Sequence, residues 1–346
     1  MKKKIMILAL SLVMVFQMTV PSVNAASIDW GFLGGSADTA AAEEGTTENG
    51  FATPKEAVTA NIEGFCEMDY DKMISACAVE NYVEGFDLEK HVERTRALMP
   101  ATMAGNYLPY KDPMSFSINC GRRETVLNSM IMFQYLNVMI PGYAEIETGA
   151  PISLTDDLTA SALIDEKYGD GSVPDITFKG EFIPAALMTE HYYQYQNLKN
   201  LAAMAAVYGM EKKHSLCAVI YIDGCPSLLF LDAGRYVGRW YVTDSSMLAM
   251  IMGLSTYTGG LINTKYDSYE TADMRAGIPL LLANSALMSA AEHLDETILN
   301  MDLQLLAMTG QASREAGENM VETTIKSALT PEELELLMNF SENGLF

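Results

Sequence analysis

A turn dipeptide between two apolar runs is the feature that most constrains the fold of this chain. Asp223-Gly224 follows the run Leu216–Ile222 and precedes the run Ser227–Leu231. An Asp-Gly pair at this spacing favours a two-residue hairpin, because both turn positions adopt a positive φ. A later glycine-containing turn leads into Arg239–Thr243, which has the composition of a strand. The pattern predicts a three-stranded antiparallel meander.

Helix-start signals lie on both sides of this meander. The stretch Thr53–Glu56 combines a capping threonine, a proline at the first helical position and a glutamate that completes a capping box. Asp69 is placed to cap a second helix, and Thr330–Glu333 to cap a last short one. Periodicity and turn residues predict helices over Arg122–Ile140, Ala185–Tyr208 and Ile278–Met308, and place Ile152, Leu154, Ile176 and Phe178 in strands.

The N-terminus has the three-part pattern of a secretory signal peptide. Three lysines, Lys2 to Lys4, precede the apolar run Ile5–Met18, and small residues up to Ala25 form a cleavage site. We expect cleavage after Ala25 and an extracellular or cell-envelope location; an uncleaved N-terminal anchor is the alternative. Residues 26–52 are small, polar and acidic, and they predict a disordered leader.

The charge of the chain limits its partners. The full chain carries a net charge of −23, and removal of the three signal lysines makes it −26. Such a surface repels phosphate backbones, so nucleic acid is not an expected partner. The uncharged segments Thr125–Ala144 and Ala276–Ala291 contain Pro, Asn and Ser, which favours buried helices over membrane spans. We therefore expect no membrane span after signal cleavage.

Five cysteines leave two possibilities open. An exported protein can oxidise two pairs and retain one thiol, or it can bury all five as small apolar side chains. Apolar neighbours surround each cysteine, which favours buried thiols. The five residues are Cys66, Cys77, Cys120, Cys217 and Cys225.

Two parts of the sequence together resemble the nuclear-transport-factor-two-like superfamily. Residues 53–58, followed by Met68–Asp71, resemble its first helices, and Val237–Val242 resembles its late hairpin with a Gly-basic-Trp element. The whole resembles exported proteins of Gram-positive bacteria. The resemblance implies an α+β fold with a curved antiparallel sheet packed on N-terminal helices. We expect this domain over residues 53–250, with a helical insertion near 81–184 and a C-terminal helical region over 251–346.

Catalytic and cofactor motifs are missing from the sequence. It has no G-x-S-x-G, no phosphate-binding loop, no dinucleotide fingerprint and no histidine pair with zinc-ligand spacing. The sequence therefore predicts neither a metal site nor a cofactor. The resemblance supplies no catalytic residue either, because no residue of this chain matches one of the superfamily's sites.

Two clusters are candidate ligand-binding sites. His191, Tyr192 and Tyr195 combine a histidine with aromatic rings that suit a polar ligand or a sugar. Helical spacing also explains this cluster as core packing, with Tyr195 inside and the neighbouring rings half exposed.

The second cluster joins Asp232 with Arg235, Arg239 and Trp240. The two arginines are conspicuous in so acidic a chain and suit an anionic ligand or an interior carboxylate. A structural ion pair at the end of the sheet is the alternative.

These observations predict a non-catalytic extracellular protein that binds a small molecule, a glycan or a partner protein through the concave sheet. A hydrolase, lyase or isomerase with a Tyr/His/Asp pocket inside the cone of the sheet is the alternative. A structural envelope protein that associates through the apolar helix Ile278–Met308 is a second alternative.

Overall fold

The structure is a computed structural model. The residues it describes are 50–67, 69–87, 90, 138, 173–189, 191–243, 247–252, 260–265 and 269–343. The predicted signal peptide, the predicted leader up to residue 49, the predicted helix over 122–140 except residue 138, and the strand residues Ile152 and Leu154 lie outside them, as does most of the predicted insertion.

Five strands form one curved, open antiparallel sheet, and the predicted meander is its centre. The strands are β1 (Ile176–Ile183), β2 (Lys212–Ile222), β3 (Cys225–Tyr236), β4 (Arg239–Thr243) and β5 (Leu261–Ile262). Their order is β1-β2-β3-β4, and β5 pairs with β3. Asp223 has a φ of 48° and Gly224 a φ of 78°, as the predicted hairpin turn requires.

Helices precede and follow this sheet, so the described fold is α+β, as predicted. Three helices come first: α1 (Pro54–Glu67), α2 (Tyr70–Ser75) and α3 (Val79–Glu84). Three more lie among the strands: α4 (Ala185–Met188), α5 (Tyr195–Val207) and α6 (Met247–Ile251). The C-terminal helices are α7 (Tyr269–Ala283), α8 (Ser285–Asn300), α9 (Leu303–Ala312), α10 (Arg314–Ala328) and α11 (Pro331–Asn343).

Both faces of the sheet are covered by helices. Alternate residues of β2 such as Leu216 and Ala218 join α1 to α3 in one apolar cluster, while Cys217 and Val219 join the later helices in another. Successive side chains of a strand point to opposite faces, so the central strands are buried on both sides. The central strands β2 and β3 therefore have no open face.

The capping signals in the sequence mark real helix starts. The Thr53 hydroxyl accepts from the Glu56 N–H at 3.2 Å, and the Glu56 carboxylate accepts from the Thr53 N–H at 3.3 Å. Thr330 and Glu333 form the same reciprocal pair. Asp69 accepts from the N–H of Lys72 at 3.0 Å. Each carboxylate or hydroxyl satisfies a backbone donor that the first turn leaves unpaired.

Two long helices predicted from the sequence are interrupted in the structure. The predicted helix Ala185–Tyr208 is two helices, α4 and α5, separated by turns between Thr189 and Gln194. The predicted helix Ile278–Met308 is divided among α7, α8 and α9. Asn284 follows α7 and caps α8 by accepting a hydrogen bond from the Leu287 N–H. This cap starts a new helix although the apolar pattern of the sequence continues.

The edge strand β1 contains a bulge. Phe178 pairs with Ile220 and Phe182 with Ala218, so three residues of β1 stand opposite Val219 alone. Gly180, at the centre of the bulge, has a φ of 77°, which suits a residue without a Cβ. The bulge directs the two phenylalanines toward each other, with ring centroids 5.6 Å apart in an edge-to-face arrangement.

Four of the five cysteines are described, and each is a free thiol. Burial, together with the negative charges of Glu67 and Glu63, raises the pKa of Cys66 to about 11. Burial also raises the pKa of Cys77 to about 12 and raises that of Cys217. These three thiols are therefore protonated at neutral pH and weakly nucleophilic. Cys120 lies outside the described residues.

Candidate functional site

Tyr192 and Asp232, from the two predicted clusters, lie under the later helices as internal polar groups. Asp232 is fully buried and forms an ion pair with Lys213, with Nζ and Oδ2 3.1 Å apart. The Tyr192 hydroxyl accepts from the N–H of Ser215 at 3.0 Å. Burial and the charge of Asp232 raise the pKa of Tyr192, so the phenol stays neutral. These contacts are those of a packed interior.

Tyr195 is buried where two helices cross. It begins α5, is 4% exposed and packs against Gly317 of α10, where any Cβ would meet its ring. The core-packing interpretation of Tyr195 is therefore confirmed. The expectation that the neighbouring rings are half exposed is wrong, because Tyr192 and Tyr193 are buried and stack edge to face at 5.0 Å. The turn between α4 and α5 directs both rings inward.

His191 lies on that turn with its side chain exposed. Its Nδ1 is 2.7 Å from the Gln194 side-chain nitrogen, and its carbonyl accepts from the Asn197 amide at 2.6 Å. These contacts hold the turn in place.

Arg235 and Trp240 are cross-strand partners on β3 and β4, whereas Arg239 pairs with Tyr236 on the opposite face of the sheet. Arg235 is partly exposed and pairs with Glu211 at 3.3 Å, while Arg239 is exposed. Trp240 is 5% exposed and packs in the N-terminal core, where its backbone bridges Phe51. The seven predicted site residues therefore do not converge on one pocket.

A cavity lies at the sheet edge, where β1 ends. The last paired residue of β1 is Ile183, opposite Cys217, and Pro184 turns the chain into α4. Residues 212–216 of β2 thus extend beyond β1. The start of α1 and one side of α8 enclose the space beside them, about 220 Å³ in volume. Its lining includes Thr53, Lys55, Phe182, His214, Leu216, Glu292, Asp295, Glu296 and Leu299. We call this space the inner cavity.

A wider cleft of about 560 Å³ lies beside the inner cavity. It runs between α1 and the bulge of β1, and Gly180 leaves one wall open because it has no side chain. Its lining includes Phe51, Glu56, Thr59, Glu63 and Gly180. We call it the outer cleft. Lys55, Phe182 and Glu292 line both spaces, so the two spaces are contiguous.

An ion pair stands at this shared boundary. Lys55 of α1 and Glu292 of α8 approach to 2.9 Å, and each side chain is about half exposed. The Lys55 Nζ also lies 5.9 Å from the centroid of the Phe182 ring. An exposed pair of this kind is worth about 0–1 kcal/mol, so it opens at little cost. Lys55 and Glu292 are therefore suited to gate the passage from the cleft to the cavity.

The inner cavity contains two ionisable side chains whose charges are suppressed. Burial, together with the positive charge of Lys55, lowers the pKa of His214 to about 4. Burial raises the pKa of Asp295 to about 8, although the Ala185 N–H and Lys55 oppose the shift. At neutral pH the cavity thus presents an uncharged imidazole and a largely protonated carboxyl group.

Both groups have unused hydrogen-bonding capacity. Asp295 Oδ2 accepts from the Ala185 N–H at 3.2 Å, but its buried Oδ1 has no partner. His214 is 6% exposed, and its neutral ring, which lines the cavity, has one donor and one acceptor nitrogen. Buried polar atoms usually have partners, so such atoms facing a cavity indicate a place for a ligand. Across the described ranges no group of three His, Cys, Asp or Glu side chains is placed to hold a metal ion.

Neither His214 nor Asp295 is among the site residues predicted from the sequence. A usable signal was present for each. Lys213, His214 and Ser215 are polar residues at the head of a strand that is otherwise apolar. Asp295 interrupts the apolar stripe of α8, because it lies four residues after Ala291 and three before Ile298.

The fold and its cavity define an α+β protein with an antiparallel sheet between two helical layers and a small-molecule-sized site at the sheet edge. Comparison with protein-family models, with curated proteins and with solved structures finds no match. The helices of the described ranges include none long and apolar enough to cross a bilayer.

Proposed function

We propose that this chain is an exported, non-catalytic binding protein that takes a small molecule through the outer cleft into the inner cavity. The observation that carries the proposal is the pair His214 and Asp295, which line one cavity where a buried oxygen of Asp295 has no hydrogen-bond partner. A site with an apolar lining and a few unpaired polar groups is the usual form of a ligand pocket. The signal-peptide pattern supports export.

The site favours a small molecule over the glycan and protein partners considered from the sequence. A glycan or protein on the concave sheet needs an open sheet surface, and helices cover both faces of the central strands. The inner cavity and outer cleft together match the size of ordinary ligand sites. The net charge of −23 argues against nucleic acid as a partner.

The nuclear-transport-factor-two-like class remains our proposal for the fold family. Capped N-terminal helices pack against an antiparallel sheet whose β3–β4 hairpin contains the Gly-Arg-Trp element. The inner cavity lies at the sheet edge, and the interior of the curve is filled by packed side chains.

Chemical-shift mapping by NMR with a library of fragments tests the binding function. We expect the backbone signals of Thr53, Lys55, Ile183 and Leu216 to move, because they line the inner cavity. The signals of Tyr195 and Arg239 serve as internal controls, since neither residue lines it. Binding that shifts the controls and leaves the cavity residues unchanged contradicts the proposal.

Acid–base catalysis in the same cavity is the second candidate. The observation that favours it is the shared lining of His214, a neutral base, and Asp295, a protonated acid. Two ionisable groups with pKa values displaced in opposite directions are a common catalytic arrangement. Incubation of each bound fragment with the protein, followed by mass spectrometry and exchange into D₂O, tests it. Fragments that stay chemically unchanged and take up no deuterium support the binding function.

A further inference from the structure

We propose that the inner cavity selects a small organic cation, an alkylammonium or guanidinium compound, which places its charged head between Asp295, Glu296 and His214. This inference rests on the proposed binding function and specifies its ligand class. Three separate properties of the cavity support it: the sign of its charge, its unpaired acceptors and the ring at its entrance.

The charges that line the inner cavity are predominantly negative. Lys55 from α1 supplies a positive charge, while Glu292 and Glu296 from α8 supply negative ones. His214 from β2 is neutral, and ionisation of Asp295 would add another negative charge. Glu292 offsets the charge of Lys55 through their ion pair, so Glu296 attracts a cation and repels an anion in this poorly solvated space. The acidity of the whole chain also draws cations toward the opening.

The unpaired atoms of the cavity suit a donor. Asp295 Oδ1 is buried without a partner, and the neutral His214 ring offers an acceptor nitrogen. An ammonium group carries three donors and no acceptor, so it can satisfy both atoms and still reach a third. His214 is 6% exposed, and it is independent of the carboxylates because it lies on β2 rather than α8.

The entrance already accommodates a cation. The Lys55 ammonium lies 5.9 Å from the centroid of the Phe182 ring and 2.9 Å from the Glu292 carboxylate. An aromatic face beside a carboxylate is a favourable route for an organic cation. The apolar walls formed by Ile183, Pro184, Leu216 and Leu299 suit the hydrocarbon part of such a ligand.

Binding of a cation should release the proton of Asp295 to solvent. Below about pH 8 the free cavity holds Asp295 as the neutral acid. The charged ligand stabilises the carboxylate, so the Asp295 proton leaves to solvent while the ligand keeps its own proton. Among the described residues, the other titratable groups that face or act on Asp295 are Lys55, Glu292, Glu296, His214 and Tyr192. Affinity therefore rises with pH up to about 8, where Asp295 of the free protein ionises, and levels off above it.

Three probes of matched length test the ligand class: hexylamine, hexan-1-ol and hexanoate. We expect hexylammonium to bind most tightly by NMR titration, and we expect isothermal titration calorimetry in two buffers at pH 7 to detect release of close to one proton. Asp295→Asn should weaken hexylammonium binding roughly 10- to 100-fold and abolish the proton release, since a charge-assisted hydrogen bond is lost. Asparagine retains an acceptor for the Ala185 N–H, which favours normal folding.

Glu322→Gln is the matched control, because it removes one negative charge from the surface of α10, away from the cavity. It should leave hexylammonium affinity and proton release unchanged. Tighter binding of hexan-1-ol or hexanoate at the same cavity residues would overturn the cation proposal while leaving the binding function intact. If none of the probes and no library fragment shifts the cavity residues, the binding function itself fails. An equal loss in Glu322→Gln would show that general surface charge, and not the cavity, attracts the probe.

Discussion

Burial in one cavity lowers the pKa of His214 and raises the pKa of Asp295. In each residue the charged form is disfavoured, so the histidine gives up its proton and the aspartic acid keeps one. The cavity thereby avoids two uncompensated buried charges at neutral pH, and both side chains retain donors and acceptors for a ligand.

These two shifts predict how stability depends on pH. The pKa of Asp295 is raised from 3.8 to about 8 on folding, so the free energy of unfolding falls as pH rises between these values. The pKa of His214 is lowered from 6.5 to about 4, so stability falls as pH decreases through that window. Below pH 6.5 the two residues therefore change the free energy of unfolding in opposite directions. Above pH 6.5 only Asp295, of the two, makes the free energy of unfolding depend on pH.

Asp295→Asn removes the ionisable group, so its free energy of unfolding should not fall as that of the wild type does. The variant should therefore become more stable relative to the wild type as pH rises from 6.5 to about 8. The difference should grow by at most about 1.4 kcal/mol per pH unit. Urea unfolding of both proteins across this range measures it, with Glu322→Gln as the charge-matched control. Parallel pH profiles for the wild type and Asp295→Asn would show that the folded carboxyl has an ordinary pKa.

The buried ion pair of Lys213 and Asp232 gives a second prediction at the residue scale. Lys213→Met should lower the free energy of unfolding by about 3–5 kcal/mol, because it leaves a buried carboxylate without its cation. The double variant Lys213→Met, Asp232→Leu should recover most of that loss. Chemical denaturation of the wild type and the two variants measures this recovery, and a double variant as unstable as the single one contradicts the explanation.

Among the elements, the crossing of α5 and α10 depends on close approach. A Cβ on Gly317 would come within 2.8 Å of the Tyr195 Cζ, so the helices meet where one side chain is missing. Gly317→Ala should destabilise the protein by about 1–3 kcal/mol through overpacking, although alanine favours a helix elsewhere. In a Tyr195→Leu background the same change should cost much less. Thermal unfolding of the four proteins tests this, and equal effects in both backgrounds refute the contact.

Local chemistry explains which elements the sequence could predict. The meander and the helix starts depend on residues within a few positions of one another, such as Asp223 with Gly224 and Thr330 with Glu333. The break after α4 was missed, because apolar periodicity continues through the turn that buries Tyr192. The cavity was missed because His214 and Asp295 are distant in sequence, and their approach depends on where β1 ends.

At the scale of the whole molecule, the two faces of one sheet belong to two different hydrophobic clusters. The N-terminal helices pack on one face, and α4 to α10 contribute to the cluster on the other. Loss of either layer exposes β2 and β3, so the two layers depend on the same strands for their stability.

The net charge of −23 gives a prediction for the whole molecule. Raising sodium chloride from about 0.02 to about 0.3 M should increase the thermal midpoint, because salt screens repulsion among the surface carboxylates. Sucrose at equal osmolality controls for effects of excluded solute. A midpoint that falls with salt would show that attractive ion pairs, such as Lys72 with Glu67, outweigh the repulsion.

The bulge of β1 divides that strand into two segments that pair separately with β2. Ile183 is anchored opposite Cys217, while the residues before the bulge are held through Ile176 to Phe178. A Cβ at Gly180 would meet no atom within 4 Å, so the space beside the bulge is open. The register of the meander does not depend on residues 179–181, because β2 and β3 pair continuously from Lys212 with Arg235 to Ile222 with Cys225.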